Sequence, residues 1–268
     1  PPNIIATGAL KAAGLPTFSF FEFAWIGIPL SLAGMLYMMF IGKYLLPKVE
    51  LSADQEIAQE IEAKTTSTSK QMISGLILLL VVVTMAIGIP GITLEMAAVI
   101  GAIVCVLTGC LTEKQAYGSI DWVTIFLFAG MMPIATSMDK TGAGALIADW
   151  TVGLMGGTPS PMVVTAVLFL LSCTLTQFMS NTAASALLCP IGLAIAKQLG
   201  ADPKAVVMAI AVAASCAFAT PVGTPPNTLV LGPGNYKFMD YVKAGVPLVI
   251  VSFIVSIIII PMVWPFFP

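Results

Sequence analysis

From Trp150 to Ala196 the chain contains no charged residue, and this run limits what it can fold into more than any motif does. A soluble fold breaks its apolar stretches with charge every few residues, whereas a bilayer crossing needs about 20 apolar residues in succession. The rest of the chain agrees. Only 9% of the 268 residues are charged and 58% are hydrophobic, against about 25% charged in soluble domains. Within hydrocarbon a helix satisfies its own backbone, so the sequence predicts an all-α integral membrane protein.

Several kinds of chemistry are excluded by what is missing. The sequence has no histidine, and its eleven basic residues are all lysine. Ser-His-Asp and Cys-His catalysis, histidine-held zinc and histidine proton relays are therefore ruled out. No guanidinium is available to clamp phosphate or nucleic acid. Cys105, Cys110, Cys173, Cys189 and Cys216 sit in apolar runs without a CxxC pair and read as small packing residues. No enzyme nucleophile, acid or metal cluster stands out, and no cofactor is expected.

Taken in order, the run Phe23 to Gly42 is charge-free and long enough to span. Residues 48–70 gather Glu50, Asp54, Glu56, Glu60, Glu62 and Lys64 before a Thr/Ser tract, and read as a solvated amphipathic linker. Spans are predicted over Met72–Ile89, Met96–Thr112 and Trp122–Met138, with a short interfacial helix over Gly142–Gly157 anchored by Trp150. The last span covers 244–266. Glu22, Glu95 and Asp121 fall at span ends and read as interfacial charges.

Two polar clusters interrupt the apolar sequence. One is Thr176-Gln177-Phe178-Met179-Ser180-Asn181-Thr182; the other is Thr220-Pro221-Val222-Gly223-Thr224-Pro225-Pro226-Asn227. Freed backbone groups at membrane depth are tolerated where protein buries them or where they line a cavity, and paired interruptions point to a ligand site. The arm from Ala183 to Ala196 would make only about 21 Å of helix, short of a span. Residues 161–199 are therefore expected to form a re-entrant hairpin, and 203–240 a broken helix. Asn181 as mere hydrogen-bonding glue between helices, and the prolines as simple kinks, are the plainer alternatives. Gln177 is expected to face a cavity or a neighbouring helix and is given no role.

With the 48–70 linker placed in the cytoplasm, Lys43, Lys48, Lys64, Lys70, Lys114, Lys237 and Lys243 lie inside, and Lys11, Lys140, Lys197 and Lys204 outside. That bias follows the positive-inside rule. An internal repeat also shows. Pro1-Pro2-Asn3 answers Pro225-Pro226-Asn227, and Gly27-Ile28-Pro29-Leu30 answers Gly245-Val246-Pro247-Leu248. The expected organisation is the end of a first repeat over 1–47, a cytoplasmic linker over 48–70, and a second repeat over 71–268. The second copy of the motif is preceded by spans and a hairpin, but the first stands at residue 1. An N-terminal truncation of roughly 150–200 residues, with a first hairpin in the missing part, is expected on the logic of inverted repeats.

On Ser180-Asn181-Thr182 and Gly223-Thr224-Pro225-Pro226-Asn227, the sequence resembles the divalent anion/sodium symporter family, within the wider ion-transporter superfamily. The resemblance implies a multi-pass protein of the cytoplasmic membrane. It implies sodium-coupled symport of a di- or tricarboxylate or sulfate, with sodium as coupling ion and a homodimeric assembly. It further implies that Ser180, Asn181, Thr182, Thr224 and Pro225 contact the anion. Thr176, Asn181 and the carbonyls of Met179 and Gly223 would hold sodium, while Pro1, Pro2 and Asn3 would be the remnant of the equivalent first-repeat loop. A sodium-independent anion exchanger, a cation/proton antiporter and an arsenite permease of the same superfamily are the alternatives.

Overall fold

The computed structural model describes residues 2–47, 68–87, 93–120 and 159–267 apart from 222, 232 and 233, together with scattered residues between 122 and 153. Every regular element among the described residues is helical, and the protein is an all-α integral membrane protein. Most of the expected 48–70 linker, and much of the Trp122–Met138 and Gly142–Gly157 elements, lie outside the described residues. The chain divides into two compact units, one holding residues 1–18, 22–49 and 123–268, the other 19–21 and 50–122.

The larger unit is built around one short helix. Helices α1 (Pro2–Ala12), α2 (Ala24–Tyr37) and α3 (Lys43–Leu45) come first, the last two joined through a π-helical turn at Met38–Gly42. After α4 (Thr68–Ile87), α5 (Leu94–Leu107) and α6 (Glu113–Gly118), which belong to the smaller unit, come α7 (Pro161–Leu175), α8 (Asn181–Gln198), α9 (Pro203–Ser215), α10 (Pro225–Leu231) and α11 (Phe238–Val263). Asp202 caps α9 by accepting from the Lys204 N–H at 2.8 Å, and Pro203 fits the first turn because its missing N–H would have no partner there. Every residue from Ala205 to Ala214 is buried, so α9 is apolar all round, as a helix enclosed by other helices must be. Its alanines and valines let α1, α7, α8 and α11 pack against it. At Gly192 of α8 an added Cβ would come within 2.6 Å of Ile210 Cδ1 and 3.1 Å of Val206 Cγ1. That glycine sets how closely α8 and α9 approach.

Helix α11 runs antiparallel to α2. The Tyr37 hydroxyl donates to the Ala244 carbonyl at 2.7 Å, and a Cβ added at Gly34 would lie 3.8 Å from Leu248 Cδ1, so rising numbers on one helix meet falling numbers on the other. At the far end of α11, Trp264 Nε1 donates to Glu22 at 2.7 Å while Lys204 Nζ pairs with the same carboxylate at 3.1 Å. Phe18 packs edge-on to Trp264 and under the Lys204 ammonium. Glu22 is thus more than the interfacial charge expected of it. It is half-buried and ties the loop between α1 and α2 to the start of α9 and the end of α11.

The smaller unit contains α4 (Thr68–Ile87), α5 (Leu94–Leu107) and α6 (Glu113–Gly118). Helix α5 meets α4 at Gly101, where a Cβ would fall 2.3 Å from Val81 Cγ2. Beside that contact lies a cavity of about 280 Å³ lined by Ile77, Leu80, Val81, Thr84, Ala97, Ile100, Gly101 and Val104. A capping box between Thr112 and Gln115 starts α6.

Three described helices are long and apolar enough to cross a membrane: Ala24–Leu45, Ser69–Ile87 and Phe238–Val263. Two expectations need adjustment. The helix within the expected Met96–Thr112 span covers only Leu94–Leu107, because Gly109 adopts φ +71° and turns the chain toward α6. The last span starts at Phe238 rather than 244. Its first turn takes in Asp240, whose carboxylate accepts the Lys237 N–H at 2.8 Å and so starts the helix ahead of the apolar run.

Candidate functional site

The two polar clusters meet. Helix α7 stops at Leu175 and α8 starts at Asn181, and the turn between them lies against the segment where α9 has unwound. Ser180 caps α8 in extended conformation, its hydroxyl accepting from the Ala183 N–H at 3.1 Å. On the facing side, Cys216 leaves helical geometry at φ −89° and ψ 42°, and regular structure resumes only at Pro225.

Unwinding a helix among apolar neighbours leaves carbonyls and N–H groups that need new partners, each costing about 1–3 kcal/mol if left unpaired. Side chains supply them here. Thr176 Oγ1 donates to the Ala214 carbonyl at 2.8 Å. Gln177 Nε2 donates to the Cys216 carbonyl at 3.0 Å, and Gln177 Oε1 accepts from the Ala219 N–H at 3.0 Å. Thr220 Oγ1 donates to the Gln177 carbonyl at 3.0 Å. From the other end, Asn227 Nδ2 donates to the carbonyls of Ala217 at 2.7 Å and Thr220 at 2.8 Å. The Asn227 carbonyl in turn accepts from the Tyr241 hydroxyl at 2.6 Å.

Thr176, Asn181 and Gly223 come together at the centre. Three oxygens face the Asn181 amide: the carbonyls of Ala214 and Gly223 at 3.1 Å each, and Thr176 Oγ1 at 2.7 Å. Surrounded by acceptors, the amide turns its nitrogen inward and donates to them. Gly223 permits this. A Cβ there would lie 2.8 Å from both the Cβ and the carbonyl oxygen of Ala217, so only glycine lets the loop fold back this tightly. Thr176 is fully buried and Thr182 nearly so, at 8% exposure. Ser180 and Met179 lie exposed on the turn, beside Phe178, which is 82% exposed.

Thr224 is half-exposed at the entry to α10, which Pro225 opens; the Asn227 N–H donates to the Thr224 carbonyl at 3.1 Å. Of the first-repeat residues, Pro2 is buried and Asn3 exposed in the first turn of α1, and Pro1 lies outside the described residues. Sequence reasoning missed Gln177 and the Ala214 carbonyl. Gln177 carried a signal, because an amide inside an apolar helix end must pair with something, and the unpaired groups of a broken helix are the natural candidates.

The central cluster consists of three uncharged oxygens, a hydroxyl and two main-chain carbonyls, gathered around a side-chain amide. Hard oxygen donors of this kind suit small, hard cations. Among the described residues no group of three or more His, Cys, Asp or Glu is placed to hold a metal ion. The first N–H groups of α8 and their positive dipole end lie beside the cluster, where a negative charge is favoured.

Known proteins place this arrangement in context. A family model described as citrate transporter (CitMHS) matches residues 1–191 and again 138–266. The chain is 48% identical over 169 residues to an uncharacterized transporter, YfbS, of Escherichia coli, covering 61% of this chain and 27% of that protein. It is 27% identical over 153 residues to the sodium-dependent dicarboxylate transporter SdcS of Staphylococcus saprophyticus, covering 56% and 28%. It is also 27% identical over 160 residues to sodium/sulfate cotransporter 2 of Chlamydomonas reinhardtii, covering 60% and 18%. The matched stretch is thus less than a third of the length of each of these relatives. These matches agree with the anion-permease resemblance of the two motifs, and the chain belongs to the citrate transporter family.

Proposed function

We propose that this chain carries one half-site of a secondary active transporter that couples sodium to uptake of a divalent anion across the cytoplasmic membrane. The observation that carries the reading is the convergence of the Thr176, Ala214 and Gly223 oxygens on the Asn181 amide, between a hairpin turn and a helix break. The names of the dicarboxylate and sulfate relatives support sodium coupling and both anion classes. In this reading Thr176, Asn181 and the carbonyls of Met179 and Gly223 take sodium. Ser180, Asn181, Thr182, Thr224 and Pro225 face the anion, and the Pro1-Pro2-Asn3 loop belongs to the equivalent site of the first repeat.

Coupling follows from the chemistry of one amide. An NH₂ group and a cation cannot occupy the same three oxygens. Sodium entry therefore turns the Asn181 side chain so that Oδ1 joins the ligands and the nitrogen points out of the cluster. The outward NH₂, the Ser180 hydroxyl and the end of α8 then present donors and positive charge to a carboxylate or oxyanion. No lysine lies in either polar cluster, so the anion depends on that bound cation for its charge balance. By linkage the anion must tighten sodium in return.

The same reading takes α7 and α8 as a re-entrant hairpin. Helix α9 starts at the Glu22–Lys204 end and is only about 20 Å long at 1.5 Å per residue, so the turn that meets its end sits at mid-depth. The antiparallel packing of α2 against α11, whose sequences share the Gly-x-Pro-Leu pattern, supports inverted repeats. A homodimer is the expected assembly.

The test is uptake of labelled succinate, citrate and sulfate into proteoliposomes holding the full-length protein, with and without a sodium gradient. Sodium-dependent uptake of one of them, abolished in Asn181→Ala, is the expected result. Counterflow that ignores sodium would assign an exchanger. Absence of transport of any of the three anions would refute the assignment.

A further inference from the structure

We infer that Gln177 is a positioning residue that holds the two sides of the cation cluster in register; this rests on the cation reading above. Gln177 is 8% exposed and touches neither side's ligand oxygens through its side chain. Its amide nitrogen donates to the Cys173 carbonyl in the last turn of α7 and to the Cys216 carbonyl of the unwound segment, both at 3.0 Å. Its amide oxygen accepts from the Ala219 N–H, and its main-chain carbonyl accepts from Thr220 Oγ1.

The sequence positions give these bonds their meaning. Gln177 lies between Thr176 and Met179, two cation ligands on the hairpin side. Cys216, Ala219 and Thr220 lie between Ala214 and Gly223, the carbonyls on the other side. One planar group therefore fixes the segment that spaces those carbonyls against the turn that carries their partners. It needs a donor toward Cys216 and an acceptor toward Ala219 at once, which a neutral amide provides and an aliphatic side chain does not. A shift of a few tenths of an ångström in that spacing alters ion coordination long before it unfolds the helices.

The experiment is a sodium titration of the melting temperature of the full-length protein in detergent, with choline keeping ionic strength constant. Gln177→Leu is expected to raise half-saturating sodium at least ~10-fold. Ser172→Ala is the control. It removes another buried bond of the same interface, from the Ser172 hydroxyl to the Ile210 carbonyl at 3.0 Å, away from the cluster. It is expected to lower the melting temperature without moving half-saturating sodium. If Gln177→Leu does not fold, Gln177→Asn keeps the amide one methylene short and is expected to give a rise of about 3-fold. Variants that melt earlier but bind sodium at wild-type concentrations would reduce Gln177 to a structural brace and overturn the inference alone. A wild-type protein indifferent to sodium would instead remove the cation reading, and the inference with it.

Discussion

Amides, not charges, organise the centre of this protein. Asn181, Gln177 and Asn227 each take up main-chain groups that the break after Ser215 sets free, and together they replace the missing helical turns. Glycine supplies the remaining tolerance. Gly245 of α11 sits so close to the unwound segment that a Cβ would fall 2.2 Å from the Phe218 carbonyl oxygen and 2.6 Å from Ala219 Cα. Backbone cannot swing aside as a side chain can, so Gly245→Ala should destabilise by about 1–3 kcal/mol. A lowered melting temperature of the purified full-length variant would show it, and an unchanged one would mean that the segment is loosely held. The grouping of Thr176, Asn181 and Gly223 rested on the family resemblance of the two motifs, while the polar clusters themselves were legible in the sequence, because hydroxyls, amides and glycine inside apolar runs have few other uses. Gln177 was not. Apart from the Cys173 carbonyl four residues back, its partners are main-chain groups some forty positions away, and no spacing rule reveals which backbone atoms a fold will leave unpaired.

Among the elements, lengths carry the argument. Helix α9 has 13 residues, too few to cross, yet it is the most enclosed helix of its unit. In the proposed reading the hairpin α7–α8 reaches its end and turns back. In a background freed of reactive native cysteines, single cysteines at Ser160 and Lys197 should be labelled by an impermeant maleimide from one face of the membrane. A cysteine at Lys237 should be labelled from the other. Labelling of Ser160 and Lys197 positions from opposite faces would mean a complete crossing and would contradict the hairpin reading. Hydropathy located these elements but misjudged some ends, for a physical reason. Asp240 and Lys243 lie inside α11 because a helix start is set by capping and first-turn charge, whereas hydropathy reports only where the apolar part begins. At α5 the apolar run continues to Leu111, but Gly109 in left-handed geometry ends the helix.

For the whole molecule, the outward surface is apolar along the long helices: Leu76, Leu78, Leu79 and Leu80 of α4 and Trp25, Ile28, Leu32 and Met35 of α2 are all exposed. Such a surface needs lipid or protein around it, as membership of a transporter family requires. Within that setting the proposed coupling is energetic: one amide shared between two ligands makes each depend on the other. The direct measurement is calorimetric titration of the full-length protein with the transported anion at several sodium concentrations, and with sodium at several anion concentrations. Sodium is expected to strengthen anion binding, and the anion to strengthen sodium binding by the same factor, of about 5- to 150-fold, with both effects lost in Asn181→Ala. Anion affinity that stays constant from zero to saturating sodium would contradict it.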